Sequence, residues 1–471
     1  MSSAECHCKD WAASTGRAGS YEQAAERGRM SNSLVTDLYE LNMAASYLRH
    51  GMTGTATFSL FCRRLPRDRG FLVAAGLEDG LSYLEEFAFD CSDIEYLASI
   101  GFGDDTLSQF RSLRFTGDVW AMPEGTIVFA NEPLLEVTAP IAEAQLVETY
   151  LLNQCTFQTA LATKAARCRI AAGGRIDIMD FSIRRTHGVE AGMAVARLSA
   201  MCGFAGTSNV AAAQRFALRP AGTMAHSYVE SFNDELEAFV TFASDFPDQA
   251  VFLVDTYGTM TGVTHAIAAI RELGLEDHAG VRLDSGDVAD LARQTRSRLD
   301  TAGLGGVRIF VSGGLDEHDL ARFVAENVPI DAVGVGTRLG VSDDAPYVDT
   351  AYKLVEYAGR PVAKLSPGKA TLPGPKQVFR SPGSHDTIAC RNEAAPRQAV
   401  PLLEPVMIAG RRTRAAPLVA ELRTRFEDQL RTIPEGALPL TSPVVPVAAT
   451  SATLQALADQ VRATGQAISR R

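Results

Sequence analysis

Polar residues recur directly after short apolar segments in the second half of the chain, and their types suit the binding of a phosphorylated small molecule. Four such loops follow one another: Asp255 after residues 250–254, Asp284 after 281–283, Ser312-Gly313-Gly314 after 307–311, and Gly336-Thr337 after 332–335. Carboxylates accept hydrogen bonds from sugar hydroxyls, and glycine lets backbone N–H groups approach a phosphate. One loop of this kind is a common turn, but four in regular succession indicate a shared binding site.

Asp255 and Asp284 are the carboxylates best placed for chemistry, because each directly follows a buried apolar segment. Both suit hydrogen bonds from a sugar. The pair also suits Mg²⁺, which prefers carboxylates combined with the oxygens of a substrate phosphate. Asp287, a few residues further on, is equally well explained as the N-cap of the helix that follows.

Two further motifs bring positive charge and a titratable ring. Arg184 and Arg185 follow the apolar segment 175–181 and suit a bidentate clamp on an anion, with a surface ion-pair network as the alternative. His226 follows a Gly-Thr turn, and Glu230 would lie on the same helical face and orient its ring. A lone histidine is usually structural, so it is the position of His226 among the binding loops that favours a functional role.

These side chains need a framework of alternating strands and helices. Helical patterns fill the intervals between the apolar segments, at residues 263–273, 288–304 and 316–327. Such alternation predicts parallel strands, and continuous apolar runs predict strands that are buried on both faces. We therefore expect a closed or nearly closed β/α barrel with its site at the carboxyl ends of the strands. A doubly wound open sheet is the alternative.

Composition and pattern divide the chain into five segments. They are a disordered leader at 1–30, a mixed α/β N-terminal domain at 31–141, the barrel at 142–365, a loop and C-terminal segment packing on the N-terminal domain at 366–446, and a tail at 447–471. The leader is polar and lacks periodicity, which is typical of disorder. Residues 361–383 are rich in glycine, proline and lysine, which predicts a long loop.

The overall composition excludes several classes of protein. A formal net charge of −11 argues against a nucleic-acid-binding surface, although a local group of arginines still binds phosphate in an acidic protein. The 8 cysteines are too thinly spread for a disulfide framework, and no apolar stretch reaches the length of a membrane span. We expect a cytoplasmic enzyme without nucleic-acid or membrane partners.

Taken together, the motifs resemble those of the nicotinate phosphoribosyltransferase family, in order, from about residue 34 to about residue 435. The matching motifs are Thr36-Asp37-Leu38-Tyr39, residues 61–66, Arg184-Arg185, and residues 206–210, 222–226, 255–257, 281–287 and 334–337. The resemblance implies an irregular α/β barrel with a smaller α/β domain, the type II phosphoribosyltransferase fold. It also implies a ligase of NAD salvage that joins nicotinate to phosphoribosyl pyrophosphate and releases nicotinate mononucleotide and pyrophosphate.

The resemblance further implies coupling to ATP hydrolysis, with His226 as a phosphohistidine. Tyr39, Thr223 and Arg282 would contact nicotinate, and Thr337 would contact the phosphoribosyl group. Members of the family are commonly homodimers with shared active sites, so Tyr39 would serve the neighbouring subunit. Other substrate-binding positions follow from the loops themselves and have no transferred role: Gly336, Ser312, Gly313 and Gly314.

The residues also fit the chemistry of the leaving group. Asp284 and Asp255 would position the sugar and favour its positive charge, while Arg184, Arg185 and Mg²⁺ would take the charge of pyrophosphate. Arg282 would neutralise the nicotinate carboxylate. Phosphate on a histidine adds roughly two negative charges, which would order a basic loop that contains Lys364, Lys369 and Lys376.

Two other readings of the sequence remain open. One is a related phosphoribosyltransferase that uses nicotinamide or quinolinate. The other is a non-catalytic nucleotide-binding relative that works as a partner or sensor.

Overall fold

A computed structural model of the chain describes residues 32–366, 368–381 and 385–469. The predicted leader at 1–30 lies outside the described residues. The chain separates into two compact units, of which one includes Phe87–Leu113 and the other comprises Thr36–Glu86 and Arg114–Arg471.

Helices and strands alternate along most of the described chain. The α-helices are α1 Leu38–Arg49, α2 Leu77–Glu86, α3 Cys91–Ser99, α4 Asp104–Ser112, α5 Ile141–Leu146, α6 Glu148–Ala171, α7 Val189–Met201, α8 Val210–Phe216, α9 His226–Glu230, α10 Glu235–Asp245, α11 Thr259–Leu273, α12 Val288–Thr301, α13 Glu317–Ala325, α14 Thr337–Gly340, α15 Val419–Leu430 and α16 Ala452–Ser469. The strands are β1 Thr55–Cys62, β2 Leu72–Val73, β3 Asp118–Ala121, β4 Ile127–Val128, β5 Pro133–Pro140, β6 Asp177–Asp180, β7 Gly206–Thr207, β8 Val251–Leu253, β9 Gly280–Leu283, β10 Arg308–Val311, β11 Ala332–Val335, β12 Thr350–Tyr357, β13 Arg360–Pro361, β14 Lys376–Arg380, β15 Thr387–Cys390, β16 Val400–Pro401, β17 Glu404–Ile408, β18 Arg411–Arg412 and β19 Ala449–Thr450. Short 3₁₀ helices occupy Asn32–Leu34, Ile183–Arg185, Pro247–Gln249 and Glu435–Ala437.

The smaller unit is a pair of helices, α3 and α4. The side chain of Asp90 caps α3 by accepting a hydrogen bond from the backbone N–H of Asp93. The carboxylate of Asp93 in turn accepts a hydrogen bond from the backbone N–H of Asp90. Phe89 stacks on Phe110 with ring centroids 5.4 Å apart, and both rings are buried. Phe87 and Phe102 extend this aromatic cluster, so capping and aromatic packing together stabilise the unit.

The larger unit contains a six-stranded parallel sheet in the order β7-β6-β11-β10-β9-β8. All four residues of β11 are buried, as expected for a strand covered on both faces. Helices α11, α12 and α13 connect consecutive strands from β8 to β11. The predicted parallel β/α framework is confirmed, and the sequence pattern missed only the two-residue strand β7.

The parallel sheet is strongly curved. A parallel bridge between Thr207 and Pro220 adds a further segment outside β7, but no ladder joins that edge to β8 among the described strands. Arg282 on β9 nevertheless donates a hydrogen bond to Thr223, close to the far edge, over 3.0 Å. A flat sheet would separate these strands by about 5 Å per step, so the contact requires the sheet to fold round into an irregular, incomplete barrel.

A seven-stranded sheet in the order β13-β12-β1-β5-β3-β17-β18 forms the second layer of structure. The sequence assigned residues 142–365 to the barrel, but β12 leaves it and pairs antiparallel with β1, with Leu60 opposite Tyr352. The parallel strands therefore end at Val335. Strand β17, from the predicted C-terminal segment, pairs with β3 in the same sheet.

A four-stranded sheet, β16-β14-β15-β19, occupies part of the region predicted as loop. Lys376, expected in a basic loop, is instead buried in β14, where its Nζ lies 3.0 Å from Oε1 of the fully buried Glu136. Arg391 pairs with the other oxygen of that carboxylate. The prediction for Lys376 was wrong because a lysine can enter a strand when a buried partner neutralises it.

No helix in the described part of the chain is both long enough and apolar enough to cross a lipid bilayer.

Candidate active site

The ends of the six parallel strands meet at one edge of the sheet. Because the strands run in the same direction, the residues that follow them lie side by side. Those residues are Phe181 after β6, Ser208 after β7, Asp255 near the end of β8, Asp284 after β9, Ser312 after β10 and Gly336 after β11. This edge carries most of the side chains that the sequence singled out.

Arg282, Asp284 and Ser312 form the centre of the site. Arg282 donates from Nη2 to Asp284 Oδ1 over 2.8 Å and from Nε to Ser312 Oγ over 2.8 Å. The Ser312 hydroxyl donates to the same carboxylate oxygen. Nη1 of Arg282 donates to Thr223 Oγ1 over 3.0 Å, so three loops meet around one guanidinium that is only 14% exposed.

The carboxylate of Asp284 remains ionised in this setting. Burial by itself raises its pKa, but the Ser312 hydroxyl, Arg282 and His226 together outweigh burial and lower the pKa below its ordinary value. The site therefore holds a fixed negative charge beside a fixed positive one.

His226 is the first residue of α9 and faces the same carboxylate. Its Nδ1 lies 3.1 Å from Thr256 Oγ1, and its Nε2 lies 4.0 Å from Asp284 Oδ2. The sequence proposed Glu230 as the residue that orients this ring, but Glu230 is exposed and the contact is made by Thr256 instead. The only hydrogen bond to this ring in the described chain therefore comes from the loop after β8 and not from its own helix.

Asp255 supports the loop that carries Asp284. Its Oδ2 accepts hydrogen bonds from the backbone N–H of Asp284 over 3.1 Å and from Ser285 Oγ over 2.5 Å. Its Oδ1 is buried and has no hydrogen-bond partner among the described residues. A buried carboxylate oxygen without a donor is costly, so this atom is available to a ligand.

The remaining predicted residues flank this centre. Arg184 and Arg185 lie in a 3₁₀ turn after β6, exposed and without an ion-pair partner in the described chain. Gly336 caps the short helix α14, and Thr337 begins it with an exposed side chain. Two arginines that no carboxylate neutralises are free to bind an anion.

Tyr39 does not belong to this cluster. It lies on the first turn of α1, is 48% exposed, and is surrounded by Asp37, Glu40 and Glu148. Burial and these carboxylates raise the pKa of its hydroxyl, so it stays protonated. Within one chain, Tyr39 contacts none of the residues grouped around Arg282.

Glycine at position 313 is required by the packing of the loops. Its φ is +102°, and a Cβ atom there would lie 2.2 Å from the carbonyl oxygen of Asp284. Gly314, with φ +69°, would have open space around a Cβ. The sequence ascribed both glycines to phosphate binding, whereas the structure shows that Gly313 also permits close contact between two site loops.

Two site residues were missed by sequence reasoning. The ring of Phe181 lies beneath the guanidinium of Arg282, with the guanidinium carbon 5.6 Å from the ring centroid. Asp180, just before it, is buried and accepts hydrogen bonds from Ser182 and Thr207, which ties two loops together. The signal for Phe181 was its position directly after a buried strand, the same signal that identified Asp255 and Asp284.

The fold and the site define a phosphoribosyltransferase of the barrel type, with paired carboxylates, a histidine and free arginines at the carboxyl ends of parallel strands. Two family models match the chain: the nicotinate phosphoribosyltransferase N-terminal domain over residues 34–155, and the nicotinate phosphoribosyltransferase family over residues 176–378. The chain belongs to the nicotinate phosphoribosyltransferase family.

Individual relatives agree with this assignment. The chain is 48% identical over 408 residues to nicotinate phosphoribosyltransferase pncB2 of Mycobacterium tuberculosis strain H37Rv, covering 85% of this chain and 87% of that protein. It is 44% identical over 360 residues to nicotinate phosphoribosyltransferase of Bacillus subtilis strain 168, covering 74% and 73%. The crystal structure of human nicotinic acid phosphoribosyltransferase matches with a TM-score of 0.79 at 30% identity, covering 90% of this chain and 99% of the human one.

Proposed function

We propose that this protein transfers a phosphoribosyl group from phosphoribosyl pyrophosphate to nicotinate and couples the transfer to ATP hydrolysis through His226. The observation that carries the proposal is that Arg282 and His226 both face the carboxylate of Asp284 at the barrel edge. Membership of the family supplies the substrates, and the geometry supplies a role for each residue.

Nicotinate would bind beside the contact between Phe181 and Arg282. An aromatic ring packs well on Phe181, and the base's carboxylate is complementary to the guanidinium. The five N–H donors of Arg282 meet four acceptors within the described chain, which leaves one donor for a ligand. Nicotinamide carries no negative charge, so this arrangement favours nicotinate.

The transfer breaks the bond between the ribose C1 and a pyrophosphate oxygen, and the electron pair leaves with pyrophosphate. The ring nitrogen of nicotinate then forms the new C–N bond. Positive charge that develops on the ribose would be stabilised by the ionised Asp284, and the exposed Arg184 and Arg185 would take the negative charge of pyrophosphate. Ground-state binding alone would not accelerate the step, so charge placed to meet the transition state is the useful feature.

The carboxylates fit a magnesium ion that arrives with the substrate. The unpartnered Oδ1 of Asp255 and the carboxylate of Asp284 would hold it, and phosphate oxygens would complete its coordination. No group of three or more His, Cys, Asp or Glu side chains in the described part of the chain is placed to hold a metal ion. When bound, it would supply Lewis-acid stabilisation of the leaving group.

The ATP-coupled step is a phosphoryl transfer to a ring nitrogen of His226. The bond between the γ-phosphorus and the bridging oxygen breaks, ADP leaves, and a water molecule later hydrolyses the P–N bond to release phosphate. His226 is 40% exposed in its side chain, so ATP can reach the ring, and Thr256 holds it in place. Asp284 beside it links this step to the sugar site.

Phosphohistidine mapping after incubation with labelled ATP tests the coupling. We expect acid-labile label on His226, no label in His226→Ala, and loss of coupled ATP hydrolysis in that variant. His278, exposed and just before β9 at the opposite end of the barrel, gives the matched control variant His278→Ala. Coupling that persists unchanged in His226→Ala would remove His226 from this role.

Product assays with nicotinate, nicotinamide and quinolinate distinguish the alternative enzymes. We expect turnover with nicotinate and at least about a hundredfold lower kcat/KM with nicotinamide, the scale of losing one charged contact. A preference for nicotinamide would overturn the assignment of the base. Tight nucleotide binding without any turnover would indicate the non-catalytic relative.

We also propose a homodimer in which Tyr39 enters the partner's site. Large apolar side chains are exposed around the mouth of the barrel: Val189, Val210 and Tyr257, each at least 67% exposed. Tyr39 is itself half-exposed and remote from the cluster around Arg282 in its own chain. Both observations suit a second copy covering the site.

Mixing two inactive variants tests the shared site. Tyr39→Ala and Asp284→Ala homodimers should each be inactive, whereas a mixed dimer regains one intact site of two. Equal mixing should therefore restore about a quarter of the wild-type activity. Absence of any recovery, in a mixture shown to exchange subunits, would place Tyr39 in its own chain's chemistry or in none.

A further inference from the structure

A second cavity, of about 550 Å³, lies away from the strand-end site. Its walls include Phe61 on β1, Val355 on β12 and Ala458 on α16, with loop residues such as Leu365 between them. None of the residues that line it belongs to the parallel sheet or its loops. Its volume lies in the range of small-molecule sites, and its lining is mostly apolar, as in such sites.

The charged side chains that line this cavity are all positive. Lys376 and Arg462 line it, and none of its lining residues is acidic, although the protein as a whole carries a net charge of −11. Behind Lys376, the single carboxylate of Glu136 faces two cations, Lys376 and Arg391. The three side chains are 4%, 0% and 13% exposed for Lys376, Glu136 and Arg391, so an excess positive charge is buried beside the cavity.

An uncompensated buried charge is costly, and an anion in the cavity would offset it. Burial lowers the pKa of Lys376 despite its pairing with Glu136, as expected where positive charge is in excess. The Nζ of Lys376 already donates to Glu136, to Leu372 O and to Gly374 O. Lys376 therefore contributes charge to the cavity rather than a free donor.

Hydrogen bonds to an anion would come from Arg462. Its guanidinium donates to one acceptor in the described chain, Asp459 at 2.8 Å, which leaves most of its donors unused. Asn131 also lines the cavity, and both it and Arg462, whose side chain is 54% exposed, lie at the solvent-exposed rim. One guanidinium and one amide suit a single carboxylate better than a multiply charged phosphate.

We propose that this cavity binds a small apolar monocarboxylate, whose hydrocarbon or aromatic body fills the apolar walls and whose charge faces Lys376 and Arg462. The site is separate from the strand-end chemistry and does not depend on it.

Isothermal titration calorimetry of the full-length protein with three eight-carbon ligands, which differ only in the head group, tests the proposal. Octanoate should bind saturably at one site per chain, whereas octanol and octylamine should bind at least about tenfold more weakly. Equal affinity for octanol would mean that the cavity selects bulk alone, and the proposal would fail.

Two variants on one helix locate the binding. Ala458 is buried at the cavity wall, whereas Ala456 on the same helix is exposed. Ala458→Trp fills the cavity and should abolish octanoate binding, while Ala456→Trp should leave it unchanged. Ala448→Leu narrows the cavity from another wall and serves if Ala458→Trp does not fold. Binding that survives both filling variants would place octanoate elsewhere and overturn the proposal.

A charge variant completes the test. Arg462→Gln keeps a polar side chain, although a shorter one, and removes its charge. It should weaken octanoate binding about tenfold without changing octanol binding. Equal loss for both ligands would show that Arg462 acts only through packing.

Discussion

At the scale of single residues, the site depends on one guanidinium with many partners. Arg282 on β9 contacts Asp284 in the loop that follows its own strand and Ser312 and Thr223 in two other loops. Its guanidinium also lies over the ring of Phe181. An arginine fixed in this way presents a preorganised charge, because little side-chain freedom is left to lose when the substrate binds.

Replacing Arg282 should separate the two substrates. Arg282→Ala removes the partner of the nicotinate carboxylate, so we expect KM for nicotinate to rise about a hundredfold and KM for phosphoribosyl pyrophosphate to change far less. Steady-state kinetics with each substrate varied in turn measures the split. Arg282→Lys keeps the positive charge, so its KM for nicotinate should lie between those of Arg282→Ala and the wild type. Equal effects on both substrates would argue against a contact specific to the base.

The lowered pKa of Asp284 predicts a shift in the pH profile. Ser312→Ala removes a hydroxyl that donates to the Asp284 carboxylate, so the pKa of Asp284 should rise. The ionised form is then lost at a higher pH as acid is added, and the acid limb of kcat/KM should move upwards. Ser285→Ala is the matched control, because that hydroxyl donates to Asp255 instead. An identical shift in both variants would contradict the assignment to Asp284.

At the scale of elements, close contact between neighbouring loops sets the geometry of the site. The loop after β10 passes so near the end of β9 that Gly313 leaves no space for a side chain. The ring of His226 is similarly held by Thr256 from the loop after β8.

A pair of glycine variants isolates this loop contact. Gly313→Ala should displace the backbone of Asp284 and lower kcat/KM by about a hundredfold, beyond the roughly 1 kcal/mol cost of a positive φ. Gly314→Ala carries a similar backbone cost but meets no atom, so its activity should stay near that of the wild type. Kinetics and thermal melts of both proteins measure the difference. Comparable losses in the two variants would attribute the effect to backbone strain alone.

At the scale of the whole larger unit, buried ion pairs join elements that are distant in the sequence. Lys164 on α6 is 1% exposed and pairs with Glu317 at 2.7 Å and with Asp344 at 2.7 Å. Arg69 pairs with the same Asp344, whose pKa burial would raise but the two cations lower. These contacts join the β1–β2 connection, helix α13 and the segment after α14 to helix α6.

Breaking this network should cost much more than breaking a surface pair. Lys164→Met removes one buried cation from Glu317 and Asp344, which keep only Arg167 and Arg69 as partners. We expect a loss of about 3 kcal/mol in the free energy of unfolding, the lower end of the range for a broken buried ion pair. Arg293→Met breaks an exposed pair with Glu326 and should cost at most about 1 kcal/mol. Denaturant unfolding of both variants measures the two losses in unfolding free energy. Losses of similar size would show that the network stabilises the protein no more than an exposed ion pair does.

Glu40 predicts that stability depends on pH. Burial raises its pKa to about 7, against the hydrogen bonds from Thr149 and Thr36 that lower it. The folded state therefore holds a proton that the unfolded state releases at lower pH, so stability should fall as pH rises from about 4.5 towards 7. Glu40→Gln cannot ionise and should flatten this dependence, whereas the exposed Glu95→Gln should not. Parallel pH profiles for Glu40→Gln and the wild type would contradict the prediction.

The amino-acid sequence by itself determined the alternation of strands and helices and the residues that end each parallel strand. Continuous apolar runs leave little choice but burial on both faces, and a polar residue after such a run must lie at the sheet edge. This pattern predicts the positions of Asp255, Asp284 and Ser312, whereas the role of Arg282 was implied by the family resemblance.

Only the tertiary structure decided which distant residues meet. The pairing of Thr256 with His226, the ring of Phe181 under Arg282, the burial of Lys376 and the return of β12 to the antiparallel sheet all join residues far apart in the chain. Local pattern carries no information on such contacts, because they depend on how the sheet curves and which charged partner is already buried. The sequence therefore predicts the types of the site residues, whereas the contacts between them depend on long-range packing.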